Sequence, residues 1–172
     1  MRGLPERLSR GEESAFAEFY DACADRLFAF ATARTGSPEL AADVVQNAFL
    51  RLVKSRRRLR KVESPVAYVF QIARNELARH ATRQANENSQ PLEAAAEVVD
   101  FRWRDGVDDA DTAAALLNRL DSTAREIVEL KLYAGLTFEE VAEATGQPVG
   151  TVATRYRRAV ESLRGWLEKQ YR

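Results

Sequence analysis

The chain has very little of what metal sites and disulfides require. Among its 172 residues there is one cysteine, Cys23, and one histidine, His80. A single cysteine excludes an intrachain disulfide, and one cysteine with one histidine cannot supply the four ligands of an ordinary zinc site. We therefore expect no metal and no cofactor. Cys23 lies among apolar residues at helical spacing and is predicted to be a small core residue.

Long apolar segments are missing as well. The longest stretch without a charged residue, 144–154, contains two glycines and a proline. It is far shorter than the roughly 20 apolar residues of a membrane span. The N-terminal residues lack the apolar segment of a signal peptide. We therefore expect a cytoplasmic protein with no membrane insertion.

The chain also has no net charge, which by itself argues against a nucleic-acid-binding protein. Lys+Arg and Asp+Glu both number 26. The charges nevertheless fall in blocks, with a net −3 over residues 1–50, +8 over 51–83, −6 over 84–122 and +1 over 123–172. The basic block contains only two acidic residues, so it would repel itself without an anionic partner.

Hydrophobic periodicity is helical along nearly the whole chain, and no segment shows the two-residue alternation of a half-buried strand. Ser-Pro pairs at 37–38 and 64–65 mark two helix starts, because serine caps a helix and proline is favoured in its first turn. Three helices are predicted to form one domain over residues 1–84. Capping boxes are expected at Ser9 with Glu12 and at Thr137 with Glu140.

A polar, acidic segment then interrupts the helical pattern. Residues 85–110 contain a proline and a glycine and have no sustained period, so we predict a linker. Phe101 and Trp103 indicate that part of this linker docks on another surface. Periodicity returns in four short segments that form a second domain over 111–172. The predicted fold is therefore all-α, with two small helical domains joined by an acidic linker.

The second domain has the spacing of a helix-turn-helix between residues 138 and 157. Ala142 allows the two helices to approach, Gly146 suits the left-handed backbone of the turn, and Val152 fills the joint. With the second helix opening at Gly150, its first N–H groups are free to meet a phosphate. The basic face that follows is made of Thr151, Thr154, Arg155, Arg157 and Arg158. This pattern predicts DNA binding, the alternative being a helical hairpin with a solvated basic face.

The basic block covers a loop-like arginine cluster at 55–61 and the third helix. Basic side chains alternate there with Tyr68, Gln71, Asn75 and His80. Charge can hold a nucleic-acid backbone while aromatic and guanidinium planes stack on exposed bases, so the block suits single-stranded or partly melted nucleic acid. The alternative is an ordinary solvated face.

The second helix carries a polar stripe made of Asp43, Gln46 and Asn47, close to Phe49. One carboxylate with two amides is not a general acid–base pair, so the stripe has no catalytic interpretation. It is compatible with a protein-docking surface, and equally with an ordinary solvated face.

Three stretches of the chain resemble the extracytoplasmic-function (ECF) sigma factors of bacterial RNA polymerase. DVVQNAF at 43–49 is similar to the family's D-x-x-Q-x-x-F segment, and SPVAYVFQIARN at 64–75 is similar to its P-x-x-W-L-Y-x-I-A-R-N segment. Residues 120–167 resemble the family's domain four. The three matches follow the family's order and spacing over most of residues 16–167.

The resemblance implies an alternative sigma factor that binds core RNA polymerase and directs promoter recognition, DNA melting and transcription initiation. Residues 1–84 would be sigma domain two and residues 111–172 sigma domain four. Docking on the β′ clamp helices would use Asp43, Gln46, Asn47 and Phe49. Contacts with the minus-ten element would use Arg58, Arg60, Lys61, Tyr68, Gln71, Arg74, Asn75, Arg79 and Arg83. Contacts with the minus-thirty-five element would use Thr151, Thr154, Arg155, Arg157 and Arg158.

The same resemblance implies further partners. Domain four would touch the polymerase β flap, and the acidic linker would run toward the active-site and RNA-exit channels. An anti-sigma factor that clamps the two domains is the expected regulator. Two weak DNA-reading domains held on one large partner act together through effective concentration, so zero net charge does not exclude promoter binding.

Two positions depart from the family's pattern. Tyr68 stands where the family commonly has tryptophan, and this exchange keeps an aromatic ring for stacking. Ala153 replaces the lysine of the family's G-T-V-K-S-R segment, which removes a side chain that could touch DNA.

A free-standing helix-turn-helix transcriptional regulator is the alternative function. Such proteins usually bind as dimers to repeated half-sites, so a monomer without affinity for duplex DNA alone would argue against it. An enzyme is disfavoured, because the sequence shows no Walker-type loop, metal-ligand cluster or Ser/His/Asp set.

Overall fold

The computed structural model describes residues 3–87 and 107–170, and these residues form helices and no strand. The all-α prediction is therefore confirmed. In chain order the elements are α1 (Leu4–Arg10), α2 (Glu13–Thr35), α3 (Pro38–Lys54), a 3₁₀ helix (Arg56–Arg60), α4 (Pro65–Glu87), α5 (Val107–Leu117), α6 (Ser122–Leu132), α7 (Phe138–Thr145) and α8 (Val149–Gln170). No helix among the described residues is long and apolar enough to cross a bilayer.

The start of the chain differs from the prediction. Both leucines of α1 are buried, and this apolar contact makes a short helix where the sequence suggested only a cap. Ser9 lies inside α1, where its Oγ donates to the carbonyl of Glu6 at 2.7 Å. Glu12 is the N-cap of α2 and makes no side-chain cap bond. The predicted capping box at Ser9 and Glu12 is therefore wrong.

Other predicted helix starts are confirmed. The Ser37 hydroxyl accepts a first-turn N–H of α3 at 3.2 Å, and the Ser64 hydroxyl does the same for α4 at 3.2 Å. The capping box of α7 has both of its bonds. Glu140 N donates to Thr137 Oγ1 at 3.1 Å, and Thr137 N donates to Glu140 Oε2 at 3.0 Å. These caps satisfy N–H groups that a helix start leaves without partners.

The predicted helix-turn-helix is present as α7, a short turn and α8. Gly146 has a φ of 68° in the left-handed region, and its N–H bonds the carbonyl of Ala142. Val152 is fully buried at the joint, as predicted. The second helix begins at Val149, one residue before the predicted start at Gly150. Gly150 therefore belongs to the first turn of α8.

The arginine cluster predicted as a connection is partly ordered. The 3₁₀ helix packs against α1, and its single leucine, Leu59, is fully buried. Arg57, Arg58 and Arg60 stay exposed around it. One buried apolar side chain therefore anchors a segment whose other side chains are basic and mostly exposed.

The N-terminal half of the core is formed by α2, α3 and α4. Its fully buried large side chains include Phe19, Leu27, Phe30, Val44, Leu52 and Phe70. Cys23 is also a core residue, as predicted, with 1% of its surface exposed. Burial raises the pKa of its thiol to about 12, so this cysteine stays protonated and unreactive at neutral pH.

The buried core does not stop at the predicted linker. Side chains of α6, α7 and α8 belong to the same buried cluster as those of α2, α3 and α4. The C-terminal members of this cluster are Ile127, Leu130, Ala134, Leu136, Val141, Ala142, Ala144 and Val152. A smaller cluster around Val128 and Ala159 is internal to the C-terminal helices. The two halves of the chain are therefore packed against each other.

Only the two ends of the predicted linker lie within the described residues. Helix α4 continues to Glu87 and α5 starts at Val107, so helix extends into both ends of the segment assigned to the linker. Phe101 and Trp103 lie outside the described residues. The domain boundaries at 84 and 111 stay predictions.

Removing the ring of Phe70 is expected to lower the free energy of unfolding by about 3–5 kcal/mol, because it leaves a cavity in the core. Phe70 is fully buried and packs edge-on against Phe30, with ring centroids 5.7 Å apart. Urea unfolding of Phe70→Ala measures the loss. Phe28→Ala is the matched control, because Phe28 is 39% exposed, and a similar loss there would contradict the assignment of the core.

Candidate protein and nucleic-acid interfaces

An apolar groove lies open between α2 and α3. Four large hydrophobic side chains at this groove are exposed rather than buried. They are Tyr20, Phe28, Leu50 and Val53, with exposed fractions of 47, 39, 50 and 40%. A contiguous apolar patch on a soluble protein commonly marks an interaction site. The groove, with a volume of about 410 Å³, is therefore a candidate protein-docking surface.

The predicted docking residues of α3 lie in or beside this groove. Gln46 and Phe49 line it, and the Phe49 ring packs on Tyr20 with ring centroids 4.7 Å apart. Asp43 is exposed and Asn47 is half-buried on the same helix. The sequence indicated the polar stripe of α3 but not the apolar residues of the groove, because an apolar side chain on an amphipathic helix looks like a core residue.

The predicted minus-ten residues separate into an exposed and a half-buried set. The exposed set is Arg58, Arg60, Lys61, Asn75, Arg79 and Arg83, and the half-buried set is Tyr68, Gln71 and Arg74. The Arg79 guanidinium lies 3.3 Å from the carboxylate of Glu76. The Tyr68 hydroxyl lies 3.3 Å from Ser55 Oγ. Most of the predicted surface is therefore open to solvent.

A basic groove of about 730 Å³ runs between the 3₁₀ helix and α1. Arg57, Arg60 and Lys61 line one wall and Arg10 lines the other. Arg10 is paired with Glu6 at 2.7 Å, whereas the three cations of the opposite wall have no acidic partner in the described part of the chain. A phosphate backbone would find unneutralised positive charge here.

Arg74, another predicted minus-ten residue, lies in a different environment from the exposed ones. Its Nε and Nη2 donate to the two carboxylate oxygens of Glu126 at 2.7 and 2.8 Å, and its Nη1 donates to the Ala144 carbonyl at 2.8 Å. All three guanidinium nitrogens are thus bonded to the C-terminal half of the chain. The structure therefore places Arg74 in the contact between the two halves rather than on an open surface.

Further polar contacts join the halves, among them a bond from Arg26 Nε of α2 to the Ala134 carbonyl. The Arg34 guanidinium of α2 lies 3.0 Å from the carboxylate of Glu129 on α6, and the Glu129 side chain is only 1% exposed. Ser64 Oγ donates to Glu140 Oε1 at 3.0 Å, so the carboxylate that closes the α7 capping box also bonds the start of α4. These contacts were not predicted, because the sequence pattern alone does not say which acids face which bases.

The predicted recognition face of α8 is open. Thr154, Arg155, Arg157 and Arg158 are exposed, and Thr151 is half-buried. None of the three arginines makes an ion pair within the described residues. This face can therefore meet DNA without rearrangement of its own helix.

Comparison with known families decides the identity. The family model described as Sigma-70 region 2 matches residues 19–87. The model described as Sigma-70, region 4 matches residues 111–163. The two matches occur in order and together cover most of the chain. The chain belongs to the sigma-70 family.

The relatives of this sigma factor place it in the ECF group. It is 27% identical over 176 residues to the ECF RNA polymerase sigma factor SigK of Mycobacterium ulcerans, with 98% of this chain and 94% of the relative covered. It is 29% identical over 168 residues to the RNA polymerase sigma factor CarQ of Myxococcus xanthus, with 92% of both chains covered. The resemblance to ECF sigma factors is therefore confirmed.

Solved structures share the fold of this sigma factor. CnrH, solved in complex with the cytosolic domain of CnrY, matches with a TM-score of 0.69 at 21% identity, covering 96% of both chains. RpoE of Bartonella quintana, solved with the anti-sigma factor NepR, matches with a TM-score of 0.69 at 23% identity, covering 89% of this chain and 96% of that one. The protein is an alternative sigma factor that directs promoter transcription initiation, and the roles of its individual residues stay predictions.

Glu143 on α7 has an unfavourable environment for its charge. Burial raises the pKa of its carboxyl group, and the nearby carboxylates of Glu63 and Glu140 add to the rise. Backbone hydrogen bonds from Ser64 and Glu63 act in the opposite direction. Because the folded pKa lies above the unfolded one, this group destabilises the fold increasingly as the pH rises through the interval between them.

Replacing Glu143 with glutamine is expected to raise the free energy of unfolding near neutral pH. The gain should be a fraction of a kcal/mol, because much of the carboxylate remains screened by solvent. It should disappear below the ordinary pKa of glutamate, where the carboxyl is protonated in both states. Urea unfolding at the two pH values measures the difference, with Glu139→Gln on the same helix as control. An equal gain at both pH values would contradict the electrostatic cause.

Proposed function

We propose that this sigma factor docks on core RNA polymerase through the groove between α2 and α3 and reads promoter DNA through α4 and α8. It acts by binding and not by catalysis, and its place of action is the cytoplasm, where the polymerase and its template are found. The observation that carries the proposal is the exposed apolar groove beside the polar stripe of α3. Both lie inside the segment that matches Sigma-70 region 2.

The chemistry of the groove suits a helical partner. An apolar floor with aromatic rings accepts the apolar face of a helix, and polar residues at the rim set its orientation. Asp25 lies at this rim and Asp43 is exposed on α3, so basic side chains of the partner would find carboxylates there. The β′ clamp helices are the partner that the family resemblance implies.

Promoter contacts are proposed on two separate faces. The exposed arginines of α8 suit guanine edges and phosphates in the major groove. The exposed cations of α4 and the 3₁₀ helix suit the backbone of a melted strand, and Tyr68 supplies an aromatic ring for stacking. Holding both faces on one polymerase multiplies their weak affinities.

A regulatory partner and a role for the linker complete the proposal. CnrH and RpoE were solved with CnrY and the anti-sigma factor NepR, which supports an anti-sigma factor as a partner of this chain too. Domain four is proposed to touch the β flap. The acidic linker, most of which lies outside the described residues, is proposed to run into the channels of the polymerase, where negative charge mimics nucleic acid.

The double substitution Asp43→Ala/Gln46→Ala is expected to weaken binding to core polymerase by about tenfold, because it removes the polar anchors beside the groove. A pull-down of purified bacterial core enzyme, titrated to give a dissociation constant, measures the change. Glu13→Ala is the matched control, because Glu13 is an exposed acid at the far start of α2.

Equal binding by the double variant and wild type would place the docking site elsewhere. Absence of binding by both, together with tight binding of the free protein to duplex DNA, would instead favour the free-standing helix-turn-helix regulator. Wild-type binding with no affinity for duplex DNA alone would argue against that alternative.

The double substitution Arg155→Ala/Arg158→Ala should reduce promoter retention by the holoenzyme on the order of tenfold or more, because each arginine contributes about 1–3 kcal/mol where it reaches a base. Retention is measured on genomic fragments selected with wild-type holoenzyme. Arg164→Ala, two turns further along α8, is the control and should change retention little. Core-polymerase binding should be the same for all three proteins, and unchanged retention in the double variant would remove α8 from promoter reading.

A further inference from the structure

Glu76 is a buried carboxylate on a part of the chain that is otherwise basic. Only 8% of its side chain is exposed, although its neighbours on α4, Asn75 and Arg79, are exposed residues of the proposed minus-ten surface. The basic block, residues 51–83, contains one other acid, Glu63. Burying a carboxylate without a cation is costly, so the partners of Glu76 are part of how this surface is built.

Two arginines share one oxygen of this carboxylate. Arg51 Nε of α3 lies 2.7 Å from Glu76 Oε1, and Arg79 Nη1 of α4 lies 3.3 Å from the same atom. The two nitrogens can therefore be no farther apart than these two distances laid end to end. Because two guanidinium groups repel each other unless an anion lies between them, Glu76 is the group that holds them together.

The outer ends of both guanidinium groups reach solvent. The side chains of Arg51 and Arg79 are 44% and 53% exposed, and neither makes another ion pair within residues 3–87 and 107–170. Each uses one nitrogen at Glu76, so each keeps N–H donors for a further partner. One carboxylate cannot cancel two guanidinium charges, so the pair stays positive. Free donors and positive charge together suit the oxygens of a phosphate.

The pair extends the proposed DNA surface from α4 onto α3. Arg51 lies one turn after Asn47 on α3, and α3 packs along α4. The sequence did not indicate Arg51 as a DNA contact, because nothing local shows that it shares a carboxylate with Arg79. One helix would thus carry the polymerase-docking residues and, one turn further on, a residue that meets DNA.

Glu76 has two opposite effects on a phosphate bound beside it. Its charge repels the phosphate. Its contacts with the arginines favour binding, because a side chain already held at one end loses less freedom when its other end meets a ligand. A substitution that keeps the charge and moves the carboxylate separates the two effects, since only the second of them changes.

We propose that Arg51 and Arg79 form a phosphate-binding site for the melted promoter strand, and that Glu76 positions both guanidinium groups. The site rests on the proposed function, in that it requires the surface of α4 to meet promoter DNA. Its ligand is a phosphate diester of the DNA backbone, so it adds affinity without sequence preference.

The phosphate site is tested with Arg51→Gln in holoenzyme assembled from purified core polymerase and the full chain. Its dissociation constant should rise about 3–10-fold, by the same factor on several genomic fragments selected with wild-type holoenzyme, and the slope of log affinity against log salt should fall by about one. Arg164→Gln removes the same charge from an exposed position on α8 and is the control. Arg79→Gln is a second test that leaves α3 unchanged.

The positioning role is tested with Glu76→Asp, which keeps the net charge and draws the carboxylate back by one methylene. It should weaken binding about 3–10-fold, because the arginines must then be ordered by the DNA itself, while Glu63→Asp should bind like wild type. In the Arg51→Gln background the effect of Glu76→Asp should be smaller, because part of it acts through Arg51. Core-polymerase binding should be the same for all variants, which shows that they are folded.

The salt slope separates positioning from a merely structural role. Loss of α3–α4 packing lowers stability, whereas only the loss of a phosphate contact lowers the number of counterions released on binding. Glu76→Asp should therefore lower the salt slope as Arg51→Gln does. Weaker binding with an unchanged slope would overturn the positioning role of Glu76.

The failures of the two proposals can be told apart. If Arg51→Gln binds like Arg164→Gln while Arg79→Gln binds more weakly, the shared site is overturned and the DNA role of α4 stands. If Arg58→Ala/Arg60→Ala/Arg79→Ala is retained on promoter fragments as well as wild type, the proposed role of this surface is overturned, and the phosphate site with it.

Discussion

The packing of α4 between two helical units is the constraint on which the rest of the structure depends. On one side its buried residues, Phe70 above all, complete the core made by α2 and α3. On the other side it carries the contact with α7, through Arg74 and the residues near Ser64. One helix therefore belongs to both units, and any movement of domain four changes the surroundings of the helix proposed to hold melted DNA.

Features that depend on neighbours in the sequence could be predicted from it. A serine before a proline, a threonine three residues before a glutamate, and a glycine at a left-handed turn act within one helical turn, and the starts of α3, α4 and α7 follow them. The capping box predicted at Ser9 is absent because burial of the two leucines of α1 outweighed the local sequence pattern.

Features that depend on distant parts of the chain could not be predicted in this way. Glu126 looks like an ordinary solvated acid and Glu140 like a capping residue only, and nothing local indicates that they bond Arg74 and Ser64. The same limit applies to the groove, since the sequence alone does not show that Leu50 and Val53 lie beside Tyr20 and Phe28 of α2 on one exposed surface. Recognition of the family from three stretches of sequence succeeded because the stretches match in order and spacing as well as in residue type.

The double use of Arg74 couples two properties that evolution would otherwise adjust separately. Its guanidinium bonds Glu126 and the end of α7 in this structure, and the same group is predicted to contact the minus-ten element. A substitution at position 74 would thus change both the predicted promoter contacts and the packing of the two halves of the chain. Position 126 offers the independent adjustment, because Glu126 is not among the residues proposed to contact DNA. A change at position 126 would accordingly alter the packing of the two halves and leave the predicted DNA contacts in place.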